Sequence, residues 1–542
     1  MDLADSQHHG MFHSEQDEQH KKDQELLAKF GYKQELDRSL GFLSTFAIAF
    51  GFVSATNGFF ALFYYGLDTG GPAGVFWSWP VVVFGQLMVA LVFAEAASHF
   101  PLAGGVMQWA KHLSTSTWGW FTAWMFLFAL LVTVAGVAFG AAPITCGLFG
   151  WEATRWTLFL IALFFTVVPM VLNIWGVKIM AFVNNIGTIT ELIGMSVLGI
   201  VLIVVVLLTS KPHQTLGVLF DTAGTNAGGY AGPFLAAMLT AAWVLYGFDT
   251  AGSLAEETVN PSKEVPRAII AGVVVTAIVS TVWLIGTLLA IPDMKEAIAQ
   301  GYNVLPWLLR FHFAGWLADL FLVIVLIAIF VCSLSIQAAT ARLLFAMSRD
   351  NMLPEKRFFG KVNASTKTPV RSAVFVAIFC VAVLLYQDQV ARVIAWATVG
   401  VYIVYQMVVW ASMYARSKGW PKEKAHFNLG KWGWPVSILA LVYGVFMIVN
   451  LSWPRTPDAP WYDNYLVSFS LLVILIIGIV VFLAFKAAGR DLAGGIHDIE
   501  LVRKEGDELK VERVGGVMGV PGGVDPENPY VVEDTPERKP EG

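Results

Sequence analysis

Residues 242–252 read Ala242-Trp243-Val244-Leu245-Tyr246-Gly247-Phe248-Asp249-Thr250-Ala251-Gly252, inside a stretch that is otherwise apolar from 233 to 256. Gly and Asp are poor residues for a helix interior, because they lose or compete for backbone hydrogen bonds. An earlier apolar stretch, 40–66, carries a similar interruption: Gly51, then Ser54-Ala55-Thr56-Asn57-Gly58. In lipid, freed backbone groups must find partners, so an unwound turn is tolerated only inside protein or beside a cavity. Two such interruptions, five apolar stretches apart, match the plan of secondary transporters built from inverted repeats. There, broken helices place the partial charges of their ends at a midplane site. A plainer reading, that glycines only let helices pack closely, suits Gly51 or Gly252 alone. The paired polar clusters favour true breaks.

The rest of the chain is what such a plan needs. It has 542 residues, 56% hydrophobic and 14% charged, against roughly 25% charged in a soluble domain. Residues 1–38 and 490–542 hold 34 of the 75 charged residues, which leaves 41 in the 451 residues between. So apolar a chain cannot keep a globular surface wet, which excludes a soluble enzyme, a secreted protein and a nucleic-acid binder. The net charge of −5 comes from the acidic tails. The apolar stretches run for about 20 residues without alternation, which excludes a membrane β-barrel. Cys146, Cys332 and Cys380 lie in apolar stretches with no disulfide or metal spacing.

Spans are expected at 40–66, 73–98, 117–146, 157–175, 183–209, 233–256, 268–291, 316–347, 370–386, 389–413, 435–452 and 465–486. The fold class is therefore an all-α membrane protein with twelve transmembrane helices. With the N-terminus inside, the inner loops carry 16 Lys and Arg and the outer loops six. This bias puts both termini in the cytoplasm, in a protein of the plasma membrane. No signal peptide opens the chain, since residues 1–38 are polar throughout. Both tails read as disordered. His8, His9, His13 and His20 make a metal site conceivable in the first, although a solvated tail explains them as well. Residues 497–515 read as a short amphipathic piece, and 292–315 as one or two interfacial helices anchored by Trp307 and Trp316.

Three motifs carry a family resemblance. Ala255-Glu256-Glu257-Thr258-Val259-Asn260-Pro261-Ser262-Lys263-Glu264-Val265-Pro266-Arg267-Ala268-Ile269 resembles the cytoplasmic loop of amino acid–polyamine–organocation (APC) superfamily permeases. So does Pro101-Leu102-Ala103-Gly104-Gly105, with Glu95 just before it, and so does Arg342 through Met347-Ser348-Arg349-Asp350-Asn351-Met352-Leu353-Pro354. The 255–269 loop, Phe427-Asn428-Leu429-Gly430 and Trp432-Gly433-Trp434-Pro435 look most like the amino acid/choline branch, which includes γ-aminobutyrate permeases.

The resemblance implies a five-plus-five inverted repeat with broken helices 1 and 6, working by alternating access. Its parts would be an N-tail 1–38, a first repeat 39–209, a second repeat 233–413, two further helices within 435–486, and a C-tail 487–542. It also implies the site. Trp243, four residues before Gly247, resembles the family's aromatic gate, able to stack on an amine. Tyr246 would line the same cavity. Carbonyls freed near Ala242, Trp243 and Tyr246, beside Gly247, would hold an ammonium group. Backbone amides from Ser54 and Ala55 through Thr56, Asn57 and Gly58 would hold a carboxylate. Many relatives have Gly-x-Gly where this chain has Thr56-Asn57-Gly58. A side chain at Thr56 narrows that approach and offers a hydroxyl, which favours an amine or ω-amino acid over an α-amino acid.

Coupling residues follow from cost. Glu191 lies about 12 Å into span five at 1.5 Å per residue, and a carboxylate at that depth is expensive and functional by default. Some proton-coupled relatives have a lysine here, counted from the pair matched by Asn184-Asn185. Glu191 can hold a cation or take the transported proton, with Ser333 and Ser335 as expected partners. Asp249 is a second coupling candidate. Glu95, Glu256, Glu257, Lys263 and Arg267 read as inner-gate ion pairs and helix ends.

Histidines beyond the first tail lie near span ends, loops or the second tail, and no hydrolytic, acyl-transfer or nucleotide-binding motif occurs. A non-enzyme without cofactor is expected, whose partners are its substrate, H+ or Na+, and the lipid bilayer. The expected function is import of an amino acid or small amine, γ-aminobutyrate-like by preference. A choline/ethanolamine-type permease and a permease-like nutrient sensor are the alternatives.

Overall fold

A computed structural model describes residues 18–353, 355, 358–385, 390–455, 460–488, 498–505 and 508–515. Helix α1 covers 18–28. The first broken span follows as α2 (Phe42–Val53) and the start of α3 (Ala55–His99). Within α3, Gly71 takes φ 65° immediately before Pro72, so this long run changes direction there and returns as the second span. Pro72 has the fixed φ that suits a helix start and lacks an amide that would otherwise be unsatisfied. A short helix α4 (Val106–Leu113) leads to α5 (Ser116–Phe149), α6 (Arg155–Trp175) and α7 (Val177–Leu208).

The second half begins with α8 (Ala231–Val244), which stops inside the 242–252 stretch, and resumes as the single turn α9 (Thr250–Ser253). Next come α10 (Pro261–Ala290), the two short helices α11 (Met294–Ala299) and α12 (Val304–His312), α13 (Gly315–Arg349), α14 (Val370–Leu384) and α15 (Val390–Ser417). The chain continues through α16 (Gly433–Ser452), α17 (Trp461–Asn464) and α18 (Leu466–Ala487). Among the described residues, nine helical runs are long and apolar enough to cross a membrane. One of them is the 58-residue run Phe42–His99, and the apolar α8 and α14 are shorter.

The core lies where α3 packs along α8 and α10, and where α5 packs on α13 and α15. Large apolar side chains also cover the outside: Phe84, Leu160, Phe164, Leu208, Ile278 and Leu483 are all exposed. Lipid tails are as apolar as these side chains, so this surface costs nothing in a bilayer.

Two tail expectations need correction. Residues 18–38 are not a disordered tail. Leu27, Tyr32 and Leu36 are buried, packed with Leu102 and with Ala103 and Phe345. Three well-placed apolar residues hold a segment whose overall composition is polar. His8, His9 and His13 lie outside the described residues. In the second tail, Asp498–Glu505 and Glu508–Gly515 form an antiparallel hairpin. The stretch Glu508-Leu509-Lys510-Val511-Glu512 alternates with period two, which suits a strand. The stretch 292–315, expected to form one or two short helices, forms α11 and α12, with Trp316 exposed and Trp307 half-buried against Phe311.

Candidate functional site

The two breaks meet. The first is narrower than its sequence implies: Ser54 alone leaves the helix, at φ 29° and ψ 86°, and Ala55, Thr56, Asn57 and Gly58 form the opening turn of α3. Ser54 N donates to the Phe50 carbonyl and closes α2, while the Ser54 hydroxyl accepts from Asn57 N at 3.4 Å. The second break is wider, from Leu245 to Asp249. Gly247 sits there at φ 100°, where a Cβ would lie 1.8 Å from the Phe52 ring. A Cβ on Gly58 would lie 2.5 Å from Val244. Each glycine lets the backbone of one broken span approach the other.

Glu191 on α7 is buried against the first break. Its Oε1 accepts from the Ser54 hydroxyl at 2.9 Å and from Thr56 N at 3.2 Å. The first turn of a helix has amides with no partner in the helix, and its dipole favours an anion. Glu191 satisfies one of those amides. Its other oxygen, Oε2, is buried and has no hydrogen-bond partner among the described residues, and the buried Thr56 hydroxyl approaches the carboxylate without forming a well-aligned hydrogen bond.

Ser333 and Ser335 do not meet Glu191. Ser333 donates to the Phe165 carbonyl on α6 at 2.8 Å, and Ser335 donates to Asn184 on α7 at 2.6 Å. The two serines point to different neighbours, Ser333 to α6 and Ser335 to α7 at Asn184, seven residues before Glu191. The residue of α13 that reaches the first break is Cys332, whose thiol donates to the Phe52 carbonyl and accepts weakly from Asn57 Nδ2.

At the second break Asp249 is held by Tyr405 of α15, whose hydroxyl donates to Asp249 Oδ1 and accepts from Gly247 N at 2.8 Å. In a continuous helix Gly247 N would bond to the Trp243 carbonyl, so Tyr405 takes that place and leaves the carbonyl free of its helical partner. Trp243 is buried, its Nε1 has no hydrogen-bond partner among the described residues, and its ring reaches Gly136 of α5. The Tyr246 ring lies edge-on to it at 5.5 Å, and the Tyr246 hydroxyl is 3.3 Å from that of Thr133. Ala242 is buried one residue before Trp243. Sequence reasoning missed Tyr405, Thr133 and Cys332; a hydroxyl or thiol in an apolar span carries no signal of its own.

On the face that carries the N-terminal segment, buried ion pairs tie the elements together. Glu256 is bidentate with Arg349 at 2.9 and 3.0 Å and also accepts from Ala103 N. Glu257 pairs with Arg342 at 2.7 Å, and Glu95 with Arg416. Asp350 accepts from Lys111, Gln108 and Tyr32. Burial acts to raise the Asp350 carboxyl, but Lys111 and Arg349 outweigh it and hold the group below the usual carboxylate value. Lys263 and Arg267 stay outside this lock: both are exposed, and among the described residues their ion pairs are with Glu264. The 18–40 segment crosses the same face. Asp23 accepts from Asn260 N, Gln34 donates to the Glu256 carbonyl, and Leu40 pairs with the 257–259 backbone.

Comparison with known proteins agrees with this architecture. A family model described as amino acid permease matches residues 40–482. Amino-acid permease BAT1 of Arabidopsis thaliana is 26% identical over 461 residues, covering 79% of this chain and 88% of the relative. Amino-acid permease 2 of Neurospora crassa is 27% identical, covering 83% and 85%. The GABA-specific permease of Saccharomyces cerevisiae is 28% identical over 374 residues, covering 64% and 63%.

Proposed function

Because this chain belongs to the amino acid permease family, a multi-pass membrane transporter and not an enzyme, we propose that it imports a γ-aminobutyrate-like amino acid together with a proton, by alternating access. The observation that carries this reading is the Glu191 carboxylate seated on the opening turn of α3. A buried acid in contact with the half-helix start couples the protonation of a side chain to the place where a substrate's charged end binds. One relative that is specific for γ-aminobutyrate, and the side chain at Thr56, favour an ω-amino acid.

Substrate lies between the two breaks. Its ammonium group faces the free Trp243 carbonyl and the Trp243 and Tyr246 rings, an arrangement that suits cation–π attraction. Asp249, clamped by Tyr405, is a second group that can accept a proton. The face with the N-terminal segment is cytoplasmic, since it carries the excess of Lys and Arg. The Glu95, Glu256, Glu257 and Asp350 clusters close that side and part when it opens. The membrane is the plasma membrane.

The test is uptake into liposomes of labelled γ-aminobutyrate, choline and a panel of amino acids under an inward proton gradient. Concentrative uptake of an ω-amino acid that stops with a protonophore is expected, and Trp243→Ala should lower it at least tenfold in apparent affinity. Uptake of choline alone, or normal uptake by Trp243→Ala, contradicts the reading.

A further inference from the structure

The opening turn of α3 offers one anion site, and in this structure a side chain of the protein holds it. Glu191 Oε1 takes the Ser54 hydroxyl and the Thr56 amide, the donors that a half-helix start presents to an anionic substrate group. Two carboxylates cannot accept the same pair of hydrogens. We propose that Glu191 and the carboxylate of the substrate are alternative occupants of this site, so that a proton is taken up as the substrate binds.

Two buried atoms without a well-formed hydrogen bond support the exchange. The Thr56 hydroxyl, buried beside the amide that Glu191 uses, approaches the Glu191 carboxylate but makes no well-formed hydrogen bond among the described residues. It is a third donor for an incoming carboxylate. Glu191 Oε2 has no partner among the described residues, and it is where the proton is received. The exchange balances. Ionised Glu191 gains one proton and becomes a neutral acid, the substrate carboxylate accepts from Thr56 N and the Ser54 hydroxyl, and the site holds one negative charge before and after. The substrate's own ammonium charge and the added proton then cross together.

At this site Glu191 is the carboxylate that holds the donors, while Asp249, at the second break, is bonded to Tyr405 instead. Against this part of α7, α2 carries no titratable side chain and α13 presents the Cys332 thiol. The charged residues of α10, Lys263, Glu264 and Arg267, sit in its first turns and pair with one another. Arg155 opens α6 and donates to the Leu385 carbonyl. A substrate without a carboxylate has no claim on the site, so its binding takes up no proton there.

This inference rests on the transport reading above and is separable from it. The experiment is equilibrium binding to the purified full-length protein between pH 5.5 and 8, with labelled γ-aminobutyrate and with 4-aminobutanamide as competitor. The amide keeps the ammonium group and chain length and lacks the carboxylate. The affinity for γ-aminobutyrate should rise as pH falls, approaching about tenfold per pH unit on the alkaline side of the Glu191 titration, as linkage to one proton requires. The affinity for the amide should stay flat. In Glu191→Gln, γ-aminobutyrate should bind with no pH dependence. Equal slopes for acid and amide in the wild-type protein overturn the inference and leave the transport reading standing, without recourse to any variant. So does a slope that survives Glu191→Gln. Binding of neither compound at any pH overturns both.

Discussion

Tyr405 shows how one side chain can hold a broken helix open. Its hydroxyl accepts from Gly247 N and donates to Asp249, two groups that the break at 245–249 would otherwise leave buried and unpaired. Such a group costs about 1–3 kcal/mol when its partner is removed. Tyr405→Phe should therefore give a folded protein with a lower unfolding temperature and a reduced uptake rate. Full stability and full uptake in that variant would remove Tyr405 from the site. This residue was not legible in the sequence. It is one of 14 tyrosines, and nothing local distinguishes it. Glu191 was legible, because a carboxylate inside an apolar span must be compensated. Its partners were not: whether α7 aims it at Ser54 or at Ser335 is decided by how three helices pack, which no local pattern encodes.

At the scale of elements, the breaks follow from residue types that do not suit a helix in lipid, and both occur where those residues cluster. Their extents differ for a physical reason. Ser54 caps the helix that follows it, so one residue is enough to interrupt the first span, and Ala55–Gly58 resume as helix. The second span lacks such a cap on α9, and its break extends over five residues. Gly247 is the position where this geometry is least tolerant, being at φ 100° and in contact range of Phe52. Gly247→Ala combines an unfavourable backbone with a collision against α2. It should abolish uptake and reduce the yield of monodisperse protein, as seen by size-exclusion chromatography. An active, monodisperse Gly247→Ala protein would mean that the breaks do not need to touch. The loop motifs carried more than a family likeness: Glu256, Glu257, Arg342 and Arg349 all belong to the buried lock. Lys263 and Arg267, in the same motif, do not.

For the whole molecule, the lock joins α3, α4, the 255–260 loop, α13, α15 and the N-terminal segment at one face. Breaking a buried ion pair by removing one partner costs about 3–5 kcal/mol. Asp350 accepts from three side chains, those of Lys111, Gln108 and Tyr32. Its folded-state value lies below the ordinary 3.8, so the stability it contributes is in place above that pH and is lost as pH falls through the lower folded value. Asp350→Asn should be clearly less stable than wild type in thermal unfolding at pH 7, with the gap narrowing toward pH 3. A gap that does not change with pH would show that the charge of Asp350 is not what holds the face. Composition alone hid the N-terminal part of this lock, because Leu27, Tyr32 and Leu36 are few among many charged neighbours.

The central claim is that substrate and proton move together. Its most direct measurement is the lumenal pH of liposomes containing the protein, read with a trapped dye, with the membrane potential clamped at zero. On addition of external γ-aminobutyrate, the lumen should acidify as labelled substrate enters, and Glu191→Gln should abolish the acidification. Entry of labelled substrate at an unchanged lumenal pH, or accumulation driven by a sodium gradient alone, would contradict the account.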